Sequence, residues 1–266
     1  MTASQRDGSA RVAVVTGGES GIGRATAVRL TRAGYRVYVG DFQLRDENRR
    51  LFTSLKIESR LCDVRRESDI QTLIAAAVAD HNRLDVLVNN AGVGMVKPIT
   101  EVTEAEWDRC LDTNLKAAFF GCKHAIPHMQ RGGGGSIVNV SSNAGLLPRA
   151  HDPVYSISKH ALIGLTKSLA LCHAGDRIRI NAVCPGPVGD TGMMNADLDQ
   201  ADDREATARQ FIAASPLASA WQRMITPDEV AQAIEYLVSD AAAMVTGTSI
   251  AIDGGKSLGV PPAPRT

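Results

Sequence analysis

The chain lacks the marks of a membrane, secreted or nucleic-acid-binding protein. No apolar run approaches the ~20 residues that cross a bilayer as a helix, and the opening segment Met1 to Arg11 is polar, without the apolar stretch of a signal peptide. Acidic and basic side chains number 29 each, so no net charge draws the protein to a phosphate backbone or an anionic surface. No Arg-rich run is present either. The five cysteines (Cys62, Cys110, Cys122, Cys172, Cys184) are odd in number and form no C-x-x-C pair, which argues against a disulfide framework and suits reduced thiols, most of them filling the core. The histidines are scattered; His124 and His128 stand four apart, but Pro127 disturbs what reads as a helix end and no carboxylate accompanies them. No metal site is expected. These absences leave a cytoplasmic protein whose partners are small molecules rather than nucleic acid or membrane.

What the chain does contain is enough apolar matter, 44% of 266 residues, for one sizeable domain. Short β-branched runs alternate with longer stretches of helical period, the pattern of a parallel sheet covered by helices on both faces. Strands are expected at Val12 to Thr16, Arg36 to Gly40, Ser59 to Cys62, Leu84 to Asn89, Ser136 to Ser141, Arg177 to Cys184 and Ser249 to Ile252. The fold class that follows is α/β: a single-domain, Rossmann-like, doubly wound parallel sheet of about seven strands. The first helix should run from about Gly21 to Ala33, closed by Gly34. Another opens with Thr226-Pro227-Asp228-Glu229, which reads as a capping box with proline at the first helical position. The charged stretch Gln43 to Lys56 predicts an abbreviated, solvated helix, and Gly132 to Gly135 a turn from helix to strand. Residues 1–10 read as a flexible start, 11–256 as the domain and 257–266 as a tail ending in the Pro-rich Val260 to Pro264.

Two local patterns carry chemistry. Tyr155 and Lys159 lie four apart, on one face of a helix, thirteen residues after Ser142. A phenol ordinarily ionises near ~10, and an ammonium beside it favours the phenolate, so the pair reads as a tuned acid/base. A solvated surface pair has the same spacing; the neighbouring sequence decides between them. The second pattern, Thr16-Gly17-Gly18-Glu19-Ser20-Gly21-Ile22-Gly23, follows the first strand and opens the first helix, where glycines let backbone approach a pyrophosphate at a helix N-terminus. Asp41 ends the second strand eighteen residues beyond Gly23, the place of an acid that binds the adenosine ribose. It would repel a 2′-phosphate, and neither Ser20 nor Phe42 supplies a basic group to pair with one, so NAD is favoured over NADP.

Taken in order, Thr16-Gly17-x-x-x-Gly21-x-Gly23, Asp63-Val64, Asn89-Asn90-Ala91-Gly92, Asn114, Ser142, Tyr155-x-x-x-Lys159, Pro185-Gly186 and Asp253-Gly254-Gly255 resemble the short-chain dehydrogenase/reductase family over nearly the whole chain. The resemblance implies Tyr155 as general acid/base, Lys159 lowering its pKa and holding the nicotinamide ribose, and Ser142, rather than Ser141, holding the substrate oxygen. Asn114 would prop a water for proton relay, or merely kink its helix. Gly17, Ser20, Gly21, Ile22, Gly23, Asp41 and Phe42 would contact the cofactor's adenosine and pyrophosphate. Asp63 and Val64 would flank the adenine, Asn90, Ala91 and Gly92 would support its ribose, and Pro185, Gly186 and Val188 would line the nicotinamide. Relatives often place a threonine five residues after the proline of Pro185-Gly186; here Asp190 takes that slot and Thr191 follows. Either Gly189 absorbs the extra residue in a bulge and Thr191 still reaches the cofactor, or the contact is lost.

Residues 190–223 lose periodic punctuation and carry Met193, Met194, Phe211, Ile212, Leu217 and Trp221 among charges, with Met224 just beyond, which reads as a mobile lid over the substrate, a helical pair packed on the core, or both. The expected function is hydride transfer between NAD and a secondary alcohol or ketone. The alternatives are an NADPH-dependent 3-oxoacyl reductase and a non-catalytic dinucleotide-binding protein. A homo-oligomer, most often a tetramer, is implied by the resemblance.

Overall fold

The computed structural model describes residues 10–147 and 149–259. Seven parallel strands form one sheet: β1 (Val12–Thr16), β2 (Arg36–Asp41), β3 (Glu58–Leu61), β4 (Val86–Asn89), β5 (Gly135–Val140), β6 (Ile178–Pro185) and β7 (Ser249–Ile252). They lie in the order β3-β2-β1-β4-β5-β6-β7. Each expected strand is present, with bounds displaced by up to two residues. The expected bounds failed most at Leu84 and Asp85, which precede β4: Asp85 spends its carboxylate on the Val12 amide at 2.8 Å and on Arg83.

Strand side chains alternate between two cores because successive residues point to opposite faces. Val12, Val14, Leu87, Ile137 and Ile180 pack with α3 (Glu67–His81), α5 (Ala117–Arg131) and α6 (Pro153–His173). Ala13, Val15, Val39, Val88 and Val138 face α1 (Gly21–Arg32), α2 (Asp46–Leu55) and α10 (Pro227–Val238). The winding direction reverses between β1 and β4, which opens a crevice beyond their C-terminal ends.

The predicted capping box is formed: Thr226 Oγ1 accepts from the Glu229 amide at 3.2 Å, and the Glu229 carboxylate accepts from the Thr226 amide at 2.8 Å. Helix α2 is less solvated than its charges predict, since Phe52 and Asn48 are buried. Pro127 does not end α5, which continues to Arg131. Between α4 (Glu104–Leu111) and α5, the backbone widens into a π-turn over Asp112–Lys116, which carries Asn114.

Residues 190–223 hold three short helices, α7 (Gly192–Asp199), α8 (Arg204–Ala213) and α9 (Pro216–Trp221), in place of an irregular loop. Local caps define them: Thr191 accepts from the Met194 amide, Asp203 from the Ala206 amide, and Pro216 sits in the first turn of α9. Their short apolar faces are why no helical period stands out in the sequence. Of the cysteines, Cys172 is exposed and the other four are buried, all as free thiols. The carboxylate missing near His124 in the sequence comes from α3, where Glu67 pairs with His124 at 2.9 Å and Lys123 at 2.7 Å. Among the described residues no three His, Cys, Asp or Glu side chains gather to hold a metal, and no helix is long and apolar enough to cross a membrane. The Pro-rich tail from Val260 onward lies outside the described residues.

Candidate active site

One cleft runs from Asp41 at the end of β2 to Tyr155 on the first turn of α6. At its first end the glycine turn brings the N-terminus of α1 to the surface. Gly17 has φ +64°, and a Cβ on Gly23 would lie 2.1 Å from the Gly17 carbonyl oxygen, so neither position accepts a larger side chain without rearrangement. Asn90 clamps the turn, its Nδ2 donating to the carbonyls of Thr16 and Gly17 at 2.9 Å each. Thr16 Oγ1 accepts from the amides of Asn90 and Ala91, a clamping role the sequence reading did not assign to it.

Helix α1 begins without a side-chain cap and without an acid in its first turn. Its free N–H groups and positive dipole end therefore suit an anion such as a pyrophosphate. Asp41 is buried, and its two oxygens accept the amides of Glu19 at 3.1 Å and Gln43 at 3.3 Å. Burial raises its pKa, and the two amide donors oppose that rise. Glu19, also buried, receives Asn48 Nδ2 at 2.7 Å, the Arg45 amide at 3.2 Å and Ser59 Oγ, tying the turn to α2 and β3. Nothing local marks Glu19 for this role; its partners lie 26 to 40 residues away. Phe42 lines the cleft and is 71% exposed. Asp63 lines it too, with its carboxyl held below the ordinary range by the Arg65 guanidinium. This set of groups fits a dinucleotide.

The other end holds the acid/base candidates. Tyr155 and Lys159 are both buried on one face of α6, with Lys159 Nζ 5.6 Å from the phenol ring centroid. That ammonium donates to the Val140 carbonyl at 3.0 Å, and burial pushes its pKa down to about 8. The phenol does not show the lowered pKa expected from the lysine: burial raises it, and the neighbouring Ser142 hydroxyl, which donates to Asn143 Oδ1 at 3.2 Å, works in the opposite direction. Desolvation disfavours both charged forms, and at this separation it outweighs the attraction between them.

The two adjacent serines separate. Ser141 Oγ donates to the Lys159 carbonyl at 3.0 Å, whereas Ser142 caps the turn Asn143–Gly145 and stands beside Tyr155. Asn114 does not line the cleft. Its Oδ1 accepts from the Val93 amide at 2.8 Å while its Nδ2 donates to the Val93 carbonyl at 3.0 Å and to Ser158 Oγ at 3.1 Å. A Cβ on Gly92 would lie 3.2 Å from Asn114 Oδ1 and 3.4 Å from Lys159 Nζ, so Asn114 and Lys159 flank the same glycine. Gly23 likewise stands behind the lining, supporting the turn.

Ser20, Gly21, Ile22, Val64, Ala91, Gly92, Pro185, Gly186, Val188 and Thr191 all face the cleft. The extra residue after Pro185-Gly186 is taken up by Asp190, at φ +53°, instead of Gly189, whose amide bonds the Ile225 carbonyl at 2.9 Å. Thr191 Oγ1 donates to the Val188 carbonyl, and its methyl would lie 3.2 Å from a Cβ on Gly21, at the mouth of the glycine turn. From α7 and α8, Met193, Met194 and Phe211 reach the cleft. Arg149, Asp152, Asp197 and Lys256 reach it as well, unmarked by any motif in the sequence.

A family model described as enoyl-(acyl carrier protein) reductase matches residues 17–257. The chain is 40% identical over 253 residues to a 4-formylbenzenesulfonate dehydrogenase of Comamonas testosteroni, covering 93% of this chain and 98% of that one. It is 40% identical over 255 residues to a cis-4-hydroxycyclohexanecarboxylate dehydrogenase of Sinomonas cyclohexanicum, covering 92% and 96% respectively. Its fold superimposes with a TM-score of 0.87 on the aldohexose dehydrogenase of Thermoplasma acidophilum, at 33% identity, covering 97% and 98% of the two chains. The motif order, the doubly wound sheet and these similarities together place the chain in the short-chain dehydrogenase/reductase family of oxidoreductases.

Proposed function

We propose that the protein interconverts a secondary alcohol and the corresponding ketone with NAD(H), and that Tyr155 is the general acid/base. The observation that carries this reading is one continuous cleft, with an uncapped helix N-terminus and Asp41 at one end and Ser142 beside Tyr155 at the other. When bound, a nicotinamide supplies or accepts the hydride at carbon. In the oxidative direction, Tyr155 takes the proton of the carbinol hydroxyl while Ser142 donates a hydrogen bond to the same oxygen, so that a carbonyl forms as the hydride departs. Reduction reverses both transfers. Lys159 holds the nicotinamide ribose and favours the phenolate when Tyr155 gives up its proton. Asn114 serves the proton path from the far side of Gly92.

Asp41 supports NAD over NADP, because a 2′-phosphate there would meet a buried carboxylate. The same feature weighs against the NADPH-dependent 3-oxoacyl reductase reading. Two of the relatives are named for ring-bearing acids, a formylbenzenesulfonate and a hydroxycyclohexanecarboxylate, which supports a ring-sized substrate. The helices 190–223 act as the lid over it. Exposed Trp107, Phe119 and Ile157 on α4, α5 and α6 suit a homo-oligomer, a tetramer by resemblance to the family, which sedimentation would test.

The test is a panel of secondary alcohols and ketones, assayed by absorbance of the reduced nicotinamide with NAD and NADP in parallel. Turnover with NAD is expected, falling at least ~10²-fold in Tyr155→Phe. Unchanged turnover in that variant overturns the mechanism, and a preference for NADP overturns the cofactor assignment.

A further inference from the structure

Beyond Tyr155 the cleft is charged. Arg149 from the loop before α6, Asp152 at its N-cap, Asp197 from α7 and Lys256 from the turn after β7 all line it. Asp152 is already committed: 3% exposed, it lies 3.0 Å from Arg149 Nε through Oδ2 and accepts from Ser156 Oγ through Oδ1. The pairing occupies one edge of the guanidinium and aims the remainder, whose carbon lies 5.8 Å from the Tyr155 ring centroid. Neither Nη group of Arg149 makes a hydrogen bond among the described residues.

Lys256 is half-buried, and its ammonium has no hydrogen bond or ion pair among the described residues. Its backbone is held in place, because the buried carboxylate of Asp253 accepts the amides of Gly255 at 2.9 Å and Ser257 at 2.8 Å. Arg149 and Lys256 line the same cleft; burial lowers the Lys256 pKa and Arg149 adds to the depression, while Asp253 and Asp152 oppose it. Asp152 and Asp253 offset part of this charge, yet the Arg149 Nη groups and the Lys256 ammonium keep donors that an anion in the cleft can use. Asp197 is the opposing element. It is half-buried and partnerless among the described residues, and it sits in the field of Arg149.

We propose that the substrate carries an acid group, a carboxylate or sulfonate, held by the Arg149 Nη groups and Lys256 Nζ, with its carbinol or carbonyl oxygen at Ser142 and Tyr155. The inference rests on the oxidoreductase reading above and adds the substrate class. Asp197, a like charge beside that acid, limits its affinity.

Binding of benzoate, benzenesulfonate and benzamide to the full chain with NADH, followed by calorimetry, tests the acid site apart from turnover. Both anions should bind at least about ten-fold tighter than the amide, the gain of a charge-assisted bond. Lys256→Gln, which breaks no side-chain hydrogen bond or ion pair among the described residues, should remove most of that preference, and Asp197→Asn should increase it. Arg149→Lys keeps the charge near Asp152 while losing the planar fork, and should weaken both anions. If one anion alone shows the preference, that anion identifies the acid. Equal binding of anions and amide, an undiminished preference in Lys256→Gln, or weaker anion binding in Asp197→Asn overturns the proposal. Tight anion binding with no turnover of any hydroxy acid by either nicotinamide would overturn the oxidoreductase reading and leave the acid site standing.

Discussion

Lys159 gives its hydrogen bond to the Val140 carbonyl, at 3.0 Å, and holds its ammonium 5.6 Å from the Tyr155 ring centroid. The pair is thus built as two buried groups, each disfavoured in its charged form by desolvation, with the ammonium fixed by the sheet and Ser142 neighbouring the phenol.

Burial of Lys159 predicts a gain in stability with rising pH. Its folded-state pKa, about 8, lies below the ~10.4 of an unfolded lysine, so between these values the unfolded chain binds more protons. The ammonium destabilises the fold below the lower value, and the penalty lifts as pH rises through this window. Lys159→Met should therefore be more stable than the parent at pH 7, by about 1–3 kcal/mol, yet inactive. Denaturant titrations of both proteins at pH 7 and pH 10 check it; a variant less stable at pH 7 refutes the account.

The raised pKa of Tyr155 separates the two reaction directions. Oxidation needs the phenolate, so its kcat/KM should climb steadily across the neutral and alkaline range. Reduction needs the phenol and should stay level there. Profiles in both directions decide this, and an oxidative rate that falls from pH 6 to 9 would count against Tyr155 as the base.

Asp41 is held by the amides of Glu19 and Gln43. Replacing it with Ser should narrow the ratio of kcat/KM for NAD over NADP by about ten- to a hundred-fold, the removal of one like charge from a partly desolvated contact. An unchanged ratio in Asp41→Ser would place cofactor discrimination elsewhere.

A Cβ on Gly23 would meet the Gly17 carbonyl oxygen at 2.1 Å and Asn90 Nδ2 at 2.5 Å. The backbone must move, and it is the same backbone that receives the pyrophosphate. Gly23→Ala should lose at least ~10-fold in NADH affinity and 1–3 kcal/mol in stability. Fluorescence titration of bound NADH reads the first effect and urea unfolding the second.

Thr226 caps α10, whose buried face packs on α1 and the sheet and whose residues do not line the cleft. Thr226→Ala should cost about 1 kcal/mol, a fall of roughly 2–4 °C in Tm, and leave turnover intact. A loss of kcat in this variant would show that α10 reaches the site.

The local devices were legible because they are properties of neighbouring residues. The Thr226 capping box, the glycine turn after β1 and the shared helix face of Tyr155 and Lys159 all follow from backbone geometry over two to eight residues. The helices between 190 and 223 were not, because α7, α8 and α9 are too short to show a period and are defined by caps. Asp190 likewise carries a positive φ that glycine next to it would have taken more readily.

The amino-acid order by itself determined the seven-strand alternation, the family's motif series and the pairing of a phenol with an ammonium. Only the tertiary structure decided that both groups are buried and shift towards their neutral forms, that Glu19 ties Asp41 to α2 and β3, and that Arg149 and Lys256, more than a hundred positions apart, line one cleft. Hydrophobic period and turn chemistry act between chain neighbours, whereas desolvation and Coulomb interaction depend on distance and dielectric, which exist only once the sheet has brought its strand ends together.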